Sequence, residues 1–363
     1  MKLTGIHLIN FRNYERADIT PCEGVSVLAG DNAQGKTNVL EAVYLCCTGR
    51  SHRTSREREM VRWGSEEARV KVEAQRADGA HDVAMTLYSG RRKQVRVGGK
   101  HISRSGELMG HVTGVLFSPE DLRLVKDGPE VRRRFMDMEL SQIKPSYYYA
   151  LQRYQRALLQ RNKLLKLIAA KEAGGDTLED WEGQLALSGA TIVAARHRFI
   201  EKLCPVAHEN HLAISAGKER LHSAYQSQLD IARESQIAEQ LQRLLAKSRD
   251  HDLKRGSTHI GPHHDDIALM VNGQDVRAYG SQGQQRTTAL SLKLSELHVM
   301  REDTGEWPVL MLDDVMSELD PQRRRMLLRN LEGVQVLVSL TDINDLCGAR
   351  AGAVFEVSAG TIK

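Results

Sequence analysis

The sequence predicts an α/β fold whose sheet is split into two halves by a long helical hairpin. Three observations carry that reading. A glycine-rich loop, Gly30-Asp31-Asn32-Ala33-Gln34-Gly35-Lys36-Thr37, lies between the apolar, β-rich run Val25-Ser26-Val27-Leu28-Ala29 and a run in which Val39, Leu40, Val43 and Cys47 recur at helical spacing. Far downstream, Val309-Leu310-Met311-Leu312 is a continuous apolar run and Val334-Gln335-Val336-Leu337-Val338 is nearly one, as buried parallel strands require. Between them, residues 146–204 contain no proline and repeat apolar residues with a helical period.

Taken in order, Leu3, Ile6 and Leu8 read as a first strand. A polar turn at Asn10-Phe11-Arg12-Asn13-Tyr14 and a strand reaching Ile19 follow. Beyond the loop and its helix, strands are expected at Val70-Lys71-Val72, at residues 83–88 before the turn Ser89-Gly90, and at Val115-Leu116-Phe117. Tyr147, Leu151, Tyr154, Leu158, Leu165 and Ile168 mark one helix face. At about 1.5 Å per residue, a helix of roughly 28 residues would be about 40 Å long. Gly174-Gly175-Asp176 breaks it, and a second helix runs through Trp181, Leu185, Ile192 and Phe199. No heptad pattern persists long enough for an extended coiled coil. Late in the chain, residues 267–271 before Asn272-Gly273 give a strong hairpin signal. The expected organisation is a head in two parts, residues 1–125 and 251–363, around an arm at 126–250.

The loop fits G-x-x-x-x-G-K-[ST] at every fixed position. Glycines let the backbone fold tightly around a polyanion, and its N–H groups point inward at the start of a helix. Lys36 would reach the β- and γ-phosphates of a nucleoside triphosphate, and Thr37 would place its hydroxyl on Mg2+. The strand at 309–312 ends in Asp313-Asp314. Asp313 stands where a carboxylate holds the Mg2+ shell, and Asp314 where one orients or deprotonates an attacking water. Ser281-Gln282-Gly283-Gln284 opens another helical run, through Ala289, Leu290, Leu294 and Leu297, and offers a second phosphate-suited helix start. One triphosphate cannot obviously use both sites. A dimer in which each subunit caps the other's nucleotide is the economical solution.

Bulk properties bound the rest. The 363 residues carry a net charge of +4, too small to argue for nucleic acid alone. Cys22, Cys46, Cys47, Cys204 and Cys347 form no C-x-x-C and are odd in number, which reads as reduced thiols in a cytosolic protein. Lys2-Leu3-Thr4-Gly5-Ile6-His7 looks like a strand start rather than a signal peptide, and no apolar run is long enough to span a bilayer. His259, His263, His264, Asp265 and Asp266 match no strong zinc spacing and read as a polar turn entering a strand.

In the order loop, Ser281-Gln282-Gly283-Gln284, Asp313-Asp314, Ser317-Glu318-Leu319-Asp320, the motifs resemble the ABC-type ATPase head, with a signature motif and a D-loop; the helical insertion resembles the SMC-like branch. Nearly end to end, the chain is similar to the RecF family of bacterial recombination mediators. The likeness rests on Asn10-Phe11-Arg12-Asn13-Tyr14, the loop, Gly49-Arg50-Ser51-His52-Arg53-Thr54, Phe117-Ser118-Pro119-Glu120-Asp121-Leu122, Arg132-Arg133-Arg134-Phe135-Met136-Asp137, Gly261-Pro262-His263-His264-Asp265-Asp266, Ser281-Gln282-Gly283-Gln284-Gln285-Arg286 and residues 313–320. The chain departs from the family where His264 replaces a usually basic residue. It departs from ABC transporters at Val338-Ser339-Leu340-Thr341-Asp342, which lacks their switch His, and in having no counterpart of their Q-loop glutamine, although Ser118 lies in that region.

The resemblance implies an ATP-controlled DNA clamp with weak hydrolysis. ATP would be held by Gly30, Asp31, Asn32, Ala33, Gln34, Gly35, Lys36, Thr37 and Asn38 of one copy, with Ser281, Gly283, Gln284 and Asp320 completing the site in an ATP-dependent homodimer. The implied metal is Mg2+ on Thr37 and Asp313, and the implied catalytic residues are Lys36 and Asp314. The implied partners are DNA, single-stranded, gapped or double-stranded, and RecR, RecO and RecA, in the cytoplasm and with no membrane. Basic clusters at Arg50, His52, Arg53, Arg56, Arg58 and Arg62, at Arg91, Arg92, Lys93 and Arg96, and at Arg132-Arg133-Arg134 are candidate DNA contacts, the last with a place near the nucleotide or the domain junction as its alternative. The rival readings are a transporter subunit, a structural SMC-type protein, a nuclease, and an SMC-like or ABC-type ATPase acting mainly through protein partners.

Overall fold

The computed structural model describes residues 1–329, 331, 333–346 and 350–363. They form two compact units. The first comprises Met1–Leu122, Glu209–Glu219 and Arg286–Lys363; the second comprises Arg123–His208 and Arg220–Gln285.

The first unit holds two six-stranded sheets. One is antiparallel throughout, in the order Tyr14–Ile19, Lys2–Phe11, Glu67–Arg76, Gly79–Tyr88, Gln94–Val97, Lys100–Ile102. In its second strand Leu3, Ile6 and Leu8 are all buried, although Leu3 and Ile6 are an odd number of residues apart. A register shift between Leu3 and Gly5 resets the alternation and allows this. The other sheet runs Thr361–Ile362, Ala353–Ser358, Val25–Ala29, Val336–Leu340, Val309–Asp313, Gly114–Phe117, and every pairing but the first is parallel. Its last three strands are buried at every position, which explains why they are apolar apart from Ser339 and Asp313. Each such aliphatic side chain contributes about 1.5–3 kcal/mol by leaving water.

The second unit is helical around one small sheet. Helix Pro145–Ala169 starts on a proline, whose missing N–H costs nothing at a first helical position. Its buried face is Tyr147, Ala150, Tyr154, Ala157, Arg161 and Leu165. That face is rotated from the expected one, with Leu151 and Leu158 half-buried and a charged residue inside it. Helix Leu178–Ile214 continues well past Phe199 and through Pro205. Phe199, Ile200, Leu203 and Ala207 keep one buried stripe across the proline, and this burial offsets the lost backbone hydrogen bond.

The expected arm at 126–250 is a helical hairpin, but the second unit also holds a small sheet. Leu221–Gln226, Asp266–Val271 and Gln274–Asp275 pair antiparallel. The last two are joined at Asn272-Gly273, where both residues take positive φ as a tight hairpin demands. The unit therefore runs on to Gln285, past the expected boundary at 250. Cys22, Cys46, Cys47 and Cys204 are thiols outside any disulfide. Cys347 lies outside the described residues. Among the described residues, no helix is long and apolar enough to cross a membrane.

Candidate nucleotide site

In the first unit, strand Val25–Ala29 ends at the glycine-rich loop and helix Lys36–Thr48 begins at the loop's last glycine. Gly30 and Gly35 both take positive φ. A Cβ on Gly30 would lie 2.2 Å from the Val357 carbonyl oxygen, and one on Gly35 2.7 Å from Asn13 Nδ2. Only glycine fits either position.

The Lys36 ammonium bends back over the loop. It donates to the carbonyl oxygens of Gly30 at 2.5 Å and Asp31 at 2.8 Å. Burial lowers its pKa, opposed by the charges of Asp314, Asp31 and Asp313. Next to it, the Thr37 hydroxyl donates to Asp313 Oδ1 at 2.8 Å, across 276 positions of sequence. Asp313 ends a fully buried strand. Ser339, at the matching position of the neighbouring strand, donates to the same oxygen at 2.9 Å and accepts from the Asp314 N–H at 2.8 Å. Asp314 sits at φ 53°, a left-handed conformation that costs a non-glycine residue energy and concentrates at functional sites.

This set fits the group the loop pattern implies. A cradle that admits no Cβ, a lysine turned onto it, and a hydroxyl beside a carboxylate are hard donors suited to a polyphosphate and Mg2+. The structure brings together Lys36, Thr37, Asp313 and Asp314 as expected from sequence, and adds Ser339. Ser339 opens the segment where a transporter would carry its switch histidine, and here it orients both aspartates instead.

The turn at Asn10-Phe11-Arg12-Asn13-Tyr14 also serves the loop. Asn10 and Arg12 take positive φ, and Phe11 pairs with Tyr14 across the hairpin. Asn13 Nδ2 donates to the Gln34 carbonyl at 2.7 Å, and the Tyr14 hydroxyl to the Gly35 carbonyl at 3.0 Å. Asn38 Nδ2 donates to Asn13 Oδ1 at 2.8 Å. From the other side, the backbone N–H of Gly360 and of Ala359 bind Gln34. Arg12 grips Glu41 with two hydrogen bonds, at 2.8 and 2.6 Å, and Ser51 adds a third at 2.5 Å. Burial opposes the Glu41 charge, but Arg12, Ser51 and Arg53 outweigh it and hold the carboxyl below its usual range. The phosphate cradle is thus held rigid from outside. Spacing alone gave no hint of this.

Ser281, Gly283 and Gln284 belong to the second unit. Ser281 Oγ accepts the Gln284 N–H at 3.2 Å, and Gln284 Oε1 accepts the Ser281 N–H at 2.9 Å. This reciprocal pair is a capping box that starts helix Gln282–Thr304. Ser281 is exposed, so the helix start is open to a ligand. Asp320 Oδ1 accepts the Arg323 N–H at 3.0 Å and caps helix Pro321–Arg329.

The basic clusters divide by burial. Arg132 is buried and forms a two-pronged bond to Asp266, at 2.6 and 2.9 Å, which removes it from the expected DNA contacts. Lys93 is bound to Glu57 and the Gly49 carbonyl, and Arg53 to Asn38. Arg50, Arg58, Arg92 and Arg96 are exposed.

Residues 2–349 match the model of the RecF/RecN/SMC N-terminal domain family. The DNA replication and repair protein RecF of Lachnoclostridium phytofermentans is 41% identical over 366 residues, spanning 100% of this chain and 99% of its own. The chain belongs to the RecF family. RecF of Acetivibrio thermocellus is 42% identical over 345 residues, covering 94% of each. A solved structure of the recombination mediator protein RecF with ATP, in the RecFOR pathway, superposes with a TM-score of 0.92 at 39% identity, over 100% of this chain and 97% of that one. The Smc head domain of Pyrococcus furiosus, at 15% identity and a TM-score of 0.58, shares the fold, covering 100% of this chain and 95% of its own. The RecF-family fold is therefore an ABC-type, SMC-like ATPase head with an inserted helical arm.

Proposed function

We propose that this chain is an ATP-controlled DNA-binding protein of recombinational repair. The observation that carries the reading is the convergence of Lys36, Thr37, Asp313 and Asp314 on one cradle. The full-length likeness to RecF proteins, one of them solved with ATP, supports it. The loop N–H groups and Lys36 would bind the phosphates. Thr37 and Asp313 would hold Mg2+, which neutralises phosphate charge when bound. Asp314 would orient the attacking water and take its proton, and Ser339 keeps Asp314 in place.

The exposed Ser281 helix start would cap the ATP of a second copy, with Gly283 and Gln284 beside it and Asp320 at the junction. ATP binding would close two copies, and slow hydrolysis would release them. In the cytoplasm, the closed pair would sit on gapped DNA and help RecA load with RecR and RecO. Arg50, Arg58, Arg92 and Arg96 are exposed and would meet DNA phosphates.

A mobility-shift assay on gapped duplex, with and without ATP, tests this. Binding should require ATP and weaken with salt. Four phosphate contacts would cost about 100-fold in affinity over a fourfold rise in salt. No DNA binding at low salt would favour an ATPase acting through protein partners.

A further inference from the structure

A second cluster of ligating side chains lies in the second unit. Helix Arg249–Arg255 ends at Gly256 in the left-handed conformation, and the chain turns back through Ser257 and Thr258 to His259. The turn brings the His259 ring against His251, with centroids 4.1 Å apart. The two Nδ1 atoms are 3.1 Å apart. His259 Nδ1 is also hydrogen-bonded to Asp252 Oδ1, and His251 Nδ1 lies 3.9 Å from that same oxygen. All three ligand atoms fall within 4.8 Å of one another.

Protons do not satisfy this arrangement well. A single hydrogen on His259 Nδ1 can be aimed at Asp252 or at His251, but not squarely at both. Whichever it serves, another lone pair is left facing it. A cation satisfies all three. Metal–nitrogen bonds of about 2.0–2.1 Å in a tetrahedron place neighbouring donors roughly 3.3 Å apart, close to the 3.1 Å between the two imidazole nitrogens.

The carboxylate is also positioned from behind. Asp252 is fully buried, and its other oxygen accepts from Arg161 at 2.7 Å and Ser248 at 3.1 Å. Arg161 also donates to the Thr258 hydroxyl at 2.8 Å, one residue before His259. Outer partners of this kind fix a ligand's orientation before the ion arrives. The two imidazoles are partly open to solvent, His251 at 52% and His259 at 37%, which leaves an entry path and a place for water as fourth ligand.

We propose that His251, Asp252 and His259 bind a divalent transition ion of the zinc class and pin the turn at 256–259 to its helix. Two imidazoles and one carboxylate suit zinc or cobalt better than magnesium or calcium. His263, His264, Asp265 and Asp266, which the sequence places nearby, have other partners: His263 contacts Tyr154, His264 the Thr258 carbonyl, Asp265 contacts Tyr225, and Asp266 pairs with Arg132. They are not ligands.

The test is a Co2+ titration of the chelator-treated full-length chain, without a polyhistidine tag and without nucleotide. The proposal predicts saturable visible absorption at one equivalent, bleached by Zn2+, and a rise in melting temperature with Zn2+. His251→Ala and His259→Ala, both at partly exposed positions, should each weaken Co2+ binding at least tenfold and remove the melting shift. His264→Ala should change neither. No saturable absorption, or equal binding by both ligand variants, overturns the proposal.

Discussion

Lys36→Arg should lower ATP turnover by about 100-fold or more, the usual cost of losing one well-placed donor to developing charge. The ammonium sits between the Gly30 and Asp31 carbonyl oxygens, in a loop closed by two glycines that tolerate no Cβ. A guanidinium keeps the charge, but it is planar, longer and forked, and cannot occupy the position of a compact ammonium. The fold should not notice. The loop is fastened by Asn13, Tyr14, Ala359 and Gly360 through backbone groups of Gln34 and Gly35 and the Gln34 side chain, none of which involves Lys36. Steady-state phosphate release together with thermal unfolding checks this. Wild-type turnover, or collapse of the melting transition, contradicts it.

Arg161→Ala should destabilise the second unit by about 3 kcal/mol or more. Arg161 is fully buried, and its guanidinium binds Asp252 at 2.7 Å, Thr258 at 2.8 Å and Glu182 at 3.0 Å. Removing it leaves two buried carboxylates short of a cation. Each keeps some help, Glu182 from Arg249 at 2.5 Å and Asp252 from Ser248 at 3.1 Å, so the lower end of the range is expected. Urea unfolding followed by circular dichroism measures it. A loss under about 1 kcal/mol would mean the network is no stronger than an exposed ion pair.

The contrast between these residues explains what the sequence discloses. Lys36 was legible because phosphate chemistry requires a contiguous loop, and contiguity survives in one dimension. Asp313 and Asp314 were legible because a buried parallel strand announces itself as an apolar run and its acids stop that run. The hairpin at Asn272-Gly273 is equally local. Arg161 was not legible: its partners are 21 and 91 positions away, and a charge at helical spacing reads as a solvated face. Ser339 was hidden for the same reason, since its partners stand on the adjacent strand. Strand Leu221–Gln226 does not read as an alternating run, because the polar Ser223 takes the buried position between Leu221 and the half-buried Tyr225. Pro205 marks a chain break only to a local reading, because the helix continues on the strength of burial. Likeness to the RecF family pointed to Asn13 and Tyr14, but their hold on the phosphate loop emerged from geometry.

In the proposed cycle ATP turns one chain into a closed pair, with Ser281 of one copy meeting the nucleotide of the other. Sedimentation velocity of the wild-type chain and of Ser281→Arg, each with and without ATP, tests it most directly. Ser281 is exposed and outside the phosphate cradle, so the variant should still bind ATP as the wild type does. The wild type should form an ATP-dependent dimer, and Ser281→Arg should stay a monomer at every ATP concentration. An equal dimer fraction in the two proteins would contradict it.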